Sequence, residues 1–342
     1  TRRSSDLDTY FEPDYKRSVK KRTYENRISS MRIHFAYFYN TKLKDINAPM
    51  MKKWQNGLAE NYSNAYIRNI YGLFQKSLDL AVKLGLLNKN VAKQVGNVKK
   101  QKKKIDFWTQ KEFEKVISTF DISDYYEHYT FIIIWLLFMT GLRLGEAQAL
   151  EWTDINFEDK TLTVSKSMYY KSANEFYVTE PKTRAGNRTI ALDDVTISYL
   201  AEWKSVQGRN VVSKYVLSYN GLPTNKSTTK HIIERHSKLA GVHTIKTHAL
   251  RHSHASLLIS LGENAIVVRD RLGHEDVETT LGTYGHLYPN TNIEVAKKLN
   301  NLISVKKDDT ITRNFISNQF VKNRQSGCNN ISLDCEEKEW DS

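Results

Sequence analysis

The stretch Phe131-Ile-Ile-Ile-Trp-Leu-Leu-Phe-Met-Thr-Gly-Leu-Arg-Leu-Gly-Glu146 joins an apolar run to a glycine-flanked polar segment. The run Phe131–Met139 is far shorter than the roughly 20 residues that cross a bilayer, so it predicts a buried helix. Arg143 follows with glycine on both sides, where the backbone can come close to a ligand. Glu146 could orient Arg143 across one helical turn, although Arg–Glu pairs at this spacing usually lie on a surface.

Apolar residues upstream of the lysine-rich segment recur at spacings of three and four, as on one face of an amphipathic helix. Two such sets are Ile28, Met31, Phe35 and Phe38, then Tyr66, Ile70, Leu73, Leu78 and Ala81. Gly85 follows the second set and is typical of the position just past a helix end. Because the segment shows no strand-like alternation, residues 1–98 are predicted to form a bundle of about four helices.

Positive charge is concentrated in the first third of the chain. The formal net charge is +13, and residues 1–104 hold 23 Lys and Arg against 8 Asp and Glu. This excess favours a polyanionic partner, although a solvated surface would have the same composition. A lysine run that cannot pack into a core ends the segment: Lys99, Lys100, Lys102, Lys103 and Lys104. It predicts an exposed basic linker over residues 99–107, either a strap across a DNA backbone or a plain hinge.

Residues 108–304 predict a second domain, helical around a small sheet. Thr109, with Glu112 three residues later, is a capping-box signature of a helix start. Three segments have the alternation or composition of strands: Thr161–Ser165, Phe176–Thr179 and Asn187–Leu192. They predict one three-stranded antiparallel sheet, hence a mainly α fold with an α+β second domain. Residues 305–342 are polar and are predicted to be a loosely ordered tail.

Targeting and redox features point to a reducing, intracellular compartment. The first residues, Thr1–Asp6, lack the apolar segment of a secretory signal. Cys328 and Cys335 have no neighbouring His, which supports neither a zinc site nor a disulfide framework.

Two further segments carry side chains suited to binding an anion. Lys182 lies in Glu180–Gly186, the predicted turn between the second and third strands, where it could reach a phosphate or protonate a leaving group. His248 and Arg251 lie one helical turn apart and could converge on a single anion. His248 and His252 also have the spacing of a zinc-binding helix, but the glutamate of the HExxH motif is missing and no carboxylate cluster follows.

The last segment of interest contains His274 and, ten residues later, Tyr284 within Thr283-Tyr-Gly-His-Leu-Tyr-Pro289. A tyrosine beside glycine in a turn-rich segment is exposed more readily than a tyrosine in a core. Since the chain has 19 tyrosines, Tyr284 taken alone would be interpreted as structural.

Taken together, six residues in order resemble the catalytic set of the tyrosine recombinases, the integrases of phages and conjugative elements: Arg143, Lys182, His248, Arg251, His274 and Tyr284. The similarity covers residues from about 10 to 300 and includes the segments Thr-Gly-Leu-Arg-Leu-Gly-Glu, His-x-x-Arg-His and Leu-Gly-His. Residues 1–98 resemble the family's SAM-like core-DNA-binding domain. Many members carry an arm-binding domain further upstream, so a chain without an initiator Met is expected to be truncated.

The resemblance implies a site-specific recombinase that integrates and excises a mobile element through a covalent 3′-phosphotyrosine. Tyr284 would be the nucleophile, and Tyr288, which falls outside the family register, is the alternative. The phosphotyrosine conserves the energy of the broken diester, so no ATP is predicted. Two Arg and a Lys would replace a divalent metal, so no cofactor is predicted either.

Roles for the other residues follow from the same resemblance. Arg143 and Arg251 would clamp the non-bridging oxygens, because a guanidinium matches phosphate geometry. His248 and His274 would share proton handling and hydrogen bonding around the pentacoordinate phosphorus, and Lys182 would protonate the departing 5′ oxygen. Two supporting residues are expected nearby: Glu146 and His286.

The resemblance also implies an assembly on double-stranded DNA recombination sites in the bacterial cytoplasm, associated with the nucleoid and not with a membrane. The two domains would form a C-shaped clamp, and four copies would form a homotetramer. The apolar helix Ile293–Leu302 would dock on a neighbouring protomer or, alternatively, on its own domain. An excision or architectural factor is a further expected partner. Other functions left open are a chromosome-dimer resolvase, a type IB topoisomerase and a non-catalytic DNA-binding regulator.

Overall fold

The computed structural model describes residues 7–101, 105–181, 183–288, 296–297 and 299–300. Several predicted features lie outside these residues: Lys182, Lys102, Lys103, Lys104, Cys328, Cys335, the tail 305–342 and most of the helix 293–302. The chain divides into two compact units between Ile105 and Asp106. In the part that is described, no helix is long and apolar enough to cross a membrane.

The first unit is helical, as its sequence pattern predicts. Asn47, Ser63 and Asn90 begin three of its helices, and each side chain accepts a hydrogen bond from a free backbone N–H of the first turn. The α-helices are α1 (Glu12–Ser18), α2 (Lys21–Phe35), α3 (Ala48–Asn61), α4 (Asn64–Lys83) and α5 (Val91–Val95). Their core is aromatic, with the Phe38 and Phe74 rings stacked 4.5 Å apart. Gly85 has a φ of 71° just past α4, as a helix end requires.

The second unit is built around the apolar run, which forms a helix buried on nearly every face. The predicted capping box is present, since Thr109 Oγ1 and the Glu112 carboxylate each bond the other residue's backbone N–H. The helices are α6 (Gln110–Ile117), α7 (Tyr125–Thr140), α8 (Leu144–Ala149), α9 (Asp194–Asn210), α10 (Lys226–Ala240), α11 (Ala249–Ser260), α12 (Ala265–Leu272) and α13 (Val277–Tyr284). Ile132, Ile133 and Ile134 of α7 are at most 1% exposed, so α7 is the centre of the core.

The strands form two small antiparallel sheets, where the sequence predicts one. The strands are β1 (Ile155–Asn156), β2 (Thr161–Val164), β3 (Ser167–Ser172), β4 (Glu175–Thr179) and β5 (Arg188–Ala191). One sheet has the order β1-β2-β5, and β3 pairs only with β4. The mainly α class with small antiparallel sheets is confirmed.

The assignment of Phe176–Thr179 to the same sheet as the other two predicted strands is wrong. This segment pairs instead with β3, a strand that the sequence did not predict. Cross-strand aromatic pairs hold the hairpin, with the Tyr169 and Tyr177 rings 4.9 Å apart. β4 is largely exposed and β3 is mostly half-buried, with Met168 as its one buried residue, so β3 lacks the period-two burial that would identify it. Glu180–Gly186 therefore connects two sheets and is not a turn between paired strands.

Candidate active site

The turn after α7 brings the first candidate residue into the site. Gly141 ends α7 with a φ of 65°, a left-handed conformation that favours glycine. A Cβ there would lie 2.7 Å from the His254 ring and 2.8 Å from Leu272. The close approach of α7, α11 and α12 therefore requires glycine, and it places Arg143 at the start of α8.

Glu146 holds two guanidinium groups. Its Oε1 lies 2.7 Å from Nη1 of Arg143, and its Oε2 lies 2.8 Å from Nη2 of Arg188. The carboxylate also accepts the Arg143 backbone N–H. Side-chain exposure is 4% for Glu146, 6% for Arg188 and 41% for Arg143, so the carboxylate is buried while Arg143 is still partly open to solvent. Burial alone would raise the pKa of Glu146, but Arg188, then Arg143, outweigh it and lower that pKa.

Arg188 has no role in the sequence prediction. It lies 42 residues from Glu146, and no local pattern marks it. Its other donors bind the backbone carbonyls of Arg271 and Gly186. Arg188, on β5, therefore bonds the end of α12 and, through Glu146, the helix α8.

Arg143 and Arg251 meet at the backbone just before His274. The guanidinium of Arg251 donates to the carbonyls of Gly141 at 2.8 Å and Leu272 at 2.6 Å. Arg143 donates to the carbonyl of Gly273 at 3.2 Å. Residues far apart in sequence are thus held at one place by hydrogen bonds between motifs.

Gly273 requires glycine for a second reason of the same kind. Its φ is 67°, and a Cβ would lie 2.6 Å from the carbonyl oxygen of Ala185. The connection between β4 and β5 therefore packs directly against Gly273. Lys182 belongs to that connection but is outside the described residues.

The site is electropositive, and part of it is buried. Arg251 is 2% exposed, and burial, then the charge of Arg143, lower its pKa. A guanidinium nonetheless stays protonated, because its intrinsic pKa is so high. Two arginine charges held together, one of them buried, favour an anion between them.

His248, just before α11, and His252 and His254, within α11, lie in three different environments. His248 precedes the helix and is exposed, yet local packing around its ring, then Arg251 and Arg143, lower its pKa. His252 faces Tyr284, whereas His254 is buried and accepts a hydrogen bond from Arg271. Among the described residues, no group of three His, Cys, Asp or Glu is placed to hold a metal ion.

His274 lies beside the arginines. Its Nδ1 is 2.8 Å from the hydroxyl of Thr280, which fixes the ring. Burial, then the charge of Arg251, lower the pKa of His274 to about 4, so the ring is neutral at pH 7. Because Thr280 bonds Nδ1, the other ring nitrogen, Nε2, can form a hydrogen bond with another group.

Tyr284 is the last residue of α13 and is 1% exposed, so the prediction of a readily exposed tyrosine is wrong. Its ring packs edge-on against His252, and its hydroxyl lies 2.7 Å from His252 Nδ1. Burial raises the pKa of Tyr284 to about 12, while the charges of Arg251 and Arg143 act in the opposite direction. Tyr284 is therefore a neutral phenol within the field of both arginines.

Tyr288, the alternative nucleophile, has a different environment. Its hydroxyl is buried with no hydrogen-bond partner in the described part of the chain. Burial raises its pKa. His286 lies between the two tyrosines, exposed on the single turn Gly285–Leu287.

Of the predicted set, the structure brings together Arg143, Glu146, His248, Arg251, His274 and Tyr284. Lys99 and Lys100 are exposed and belong to the first unit. Sequence reasoning missed the contacts of Arg188 and His252. The only local signal was for His252, which stands beside Arg251 in the His-x-x-Arg-His segment.

Known proteins with similar sequences share both units. The family model described as the phage integrase family matches residues 106–291, and that of the phage integrase N-terminal SAM-like domain matches residues 5–59. The ICEBs1 integrase of Bacillus subtilis is 33% identical over 294 residues, which cover 83% of this chain and 79% of that protein. A XerC-like tyrosine recombinase of Caldanaerobacter subterraneus is 25% identical, covering 77% of this chain and 73% of that protein.

Solved structures agree on the fold. The Tn1549 transposon integrase, solved with transposon right end DNA, superposes with a TM-score of 0.70 at 19% identity. The match covers 84% of this chain and 96% of that one. The matching family models and the extent of the ICEBs1 similarity establish the family. The chain belongs to the phage integrase family and is a tyrosine-type site-specific recombinase.

Proposed function

We propose that this chain cleaves and rejoins DNA at the ends of a mobile element, with Tyr284 as the nucleophile. The observation that carries the proposal is the meeting of Arg143 and Arg251 at the Leu272–Gly273 backbone, with Tyr284 in the field of both charges. Two fixed guanidinium groups match the two non-bridging oxygens of a phosphodiester. Burial of Arg251 strengthens its attraction for the charge that develops on those oxygens.

In this mechanism the Tyr284 oxygen attacks phosphorus while the 5′ oxygen departs on the opposite side. Attack forms a 3′-phosphotyrosine and breaks the P–O5′ bond. Lys182 would protonate the leaving 5′ oxygen. His274, neutral and fixed by Thr280, would donate a hydrogen bond from Nε2 to a non-bridging oxygen. The reverse attack by a 5′ hydroxyl rejoins a strand, so no ATP is required.

Supporting roles extend around this site. Glu146 would hold Arg143 in place, and His248, next to the arginines, would bind the same phosphate. His286, on the exposed turn after Tyr284, would contact DNA near the cleaved bond. None of these roles requires a metal ion.

The DNA partner is proposed from charge and from relatives. The positive excess of residues 1–104 suits the phosphate backbone, which the lysines of residues 99–104 would contact. Structures of related integrases contain transposon DNA, and a lambda integrase was solved as a tetramer on a Holliday junction. We propose that this chain also acts as a DNA-bound tetramer, with the segment 293–302 docked on a neighbour and an excision or architectural factor as a further partner.

A nicked recombination site tests the nucleophile. Loss of the small fragment downstream of the nick prevents religation and traps the covalent complex, which migrates slowly on a denaturing gel. Wild-type protein and Tyr288→Phe are expected to form the complex, and Tyr284→Phe is expected to form none. Formation of the adduct by Tyr284→Phe would refute the assignment. Relaxation of any supercoiled plasmid, without paired sites, would instead indicate a topoisomerase.

A further inference from the structure

The hydroxyl of Tyr284 has a specific partner that the recombinase residues above do not include. His252 Nδ1 lies 2.7 Å from it, across 32 residues of sequence. The two rings pack with their centroids 5.6 Å apart, so the contact is part of a packed interface between α11 and α13. The inference below rests on the proposed role of Tyr284 as the nucleophile.

The imidazole of His252 is in the state that accepts a proton. Burial, then the neighbouring charges of His248 and Arg251, lower the pKa of His252 to about 4, so the ring is neutral at pH 7. A neutral imidazole has one lone pair. In the tautomer with the proton on Nε2, Nδ1 accepts the hydrogen bond from the Tyr284 hydroxyl.

The other two histidines of the site are placed differently. His274 Nδ1 is engaged by Thr280, and the His248 ring packs edge-on against His252 with their centroids 5.0 Å apart. Among the hydrogen bonds of the described residues, the Tyr284 hydroxyl bonds only His252. Within the described residues, His252 is therefore the histidine that hydrogen-bonds the nucleophile, and the His248 ring packs against the His252 ring.

We propose that His252 positions the Tyr284 hydroxyl and takes its proton during attack on the phosphodiester. The O–H bond of Tyr284 breaks as its oxygen bonds to phosphorus, and the proton passes to His252 Nδ1. Breakage of the P–O5′ bond leaves the electron pair on the 5′ oxygen, which Lys182 protonates. In the rejoining step His252 returns the proton to the departing phenolate.

A sulfur-containing substrate isolates this step. A recombination site with a 5′-bridging phosphorothiolate at the cleaved position releases a thiolate, which needs no acid, so the role of Lys182 is bypassed. Single-turnover adduct formation is then measured for wild type, His252→Ala and His252→Asn. The amide oxygen of Asn is near the place of Nδ1 and can accept the hydrogen bond, but it cannot take up the proton. His231→Ala, an exposed histidine of α10, is the matched control.

We expect both His252 variants to form the adduct about 10²- to 10⁴-fold more slowly, with unchanged DNA affinity. His231→Ala is expected to match wild type. Rates of His252→Ala within about threefold of wild type would overturn the proposal. A wild-type rate of adduct formation in His252→Asn would also overturn it, because positioning of the Tyr284 hydroxyl would then be sufficient for that rate.

The pH profile separates proton transfer from structure. With a neutral base in place, the wild-type rate is expected to be level between about pH 6.5 and 8.5. Without that base, the reaction depends on the ionised fraction of a phenol with a pKa of about 12. The rate of His252→Ala is therefore expected to rise about tenfold per pH unit. A flat profile in this variant, parallel to that of wild type, would refute proton transfer to His252.

Failure of this inference is distinguishable from failure of the proposed function. Absence of a wild-type adduct on the phosphorothiolate site, or an adduct formed by Tyr284→Phe, contradicts the proposed nucleophile. If wild type forms the adduct through Tyr284, the His252 variants alone decide the inference. Circular dichroism and DNA affinity verify that each variant is folded.

Discussion

Replacement of Glu146 by Gln removes the negative charge between two arginines and keeps the shape of the side chain. Glu146 forms a buried ion pair with Arg188, with 2.8 Å between the charged atoms. The Arg143 side chain is 41% exposed, so its ion pair with Glu146 contributes little to stability. Removal of one partner of a buried pair costs about 3–5 kcal/mol. Because the Gln oxygen can still accept one hydrogen bond, we expect a loss of roughly 3 kcal/mol in the free energy of unfolding. For a unit of this size, that corresponds to a fall in Tm of roughly 6–12 °C.

Urea unfolding and calorimetry at pH 7 measure this loss, with the exposed Glu263→Gln as the matched control. The effect also depends on pH. Since the folded-state pKa of Glu146 is lowered, its stabilisation is present above the ordinary glutamate pKa of 4.5 and is lost as pH falls through the folded-state value. The difference between wild type and Glu146→Gln should therefore shrink below about pH 4.5. A variant within about 1 kcal/mol of the control at pH 7 would refute the buried bridge.

Two further predictions concern the backbone and the DNA contact. Gly273→Ala adds a Cβ 2.6 Å from the Ala185 oxygen at a positive φ, so urea unfolding should show a loss of at least about 1–2 kcal/mol. Gly282→Ala, where nothing lies within 4 Å, is the control, and equal stability of both variants would contradict the packing. Replacement of Lys99 and Lys100 by Gln should weaken binding to all DNA sequences and reduce the salt slope by about 0.9 per lost contact. Fluorescence anisotropy at several salt concentrations measures this, and an unchanged slope would exclude phosphate contacts by these lysines.

Local patterns predicted much of the fold. The helices of the first unit and the capping box at Thr109 follow from spacings of three or four residues, and the buried α7 follows from a continuous apolar run. A sequence displays both patterns directly. The β3–β4 hairpin was missed because β4 is largely exposed and β3 has a single buried residue, so neither strand shows alternating burial. Strand pairing then depended on aromatic contacts such as Tyr169 with Tyr177, which no single-strand pattern reveals.

In the site, too, residues in local motifs were predicted from the sequence, whereas contacts between distant residues were not. Arg143, Arg251 and Tyr284 were recognised from family motifs, and Glu146 from its distance along one helical turn. By contrast, the contacts of Arg188 with Glu146 and of His252 with Tyr284 span 42 and 32 residues. Such contacts arise only when α8, α11, α13 and β5 pack together. The burial of Tyr284 has the same origin, because its glycine neighbour favours exposure locally while α11 covers the ring.

The most direct test of Tyr284 as the nucleophile is to locate the covalent bond in the trapped complex. The adduct formed on a nicked site is digested with nuclease and protease, and tandem mass spectrometry identifies the residue that carries the nucleotide. We predict a 3′-linked nucleotide on Tyr284 and an unmodified Tyr288 in the same peptide. A nucleotide on Tyr288, or on any other residue, would contradict the assignment of Tyr284.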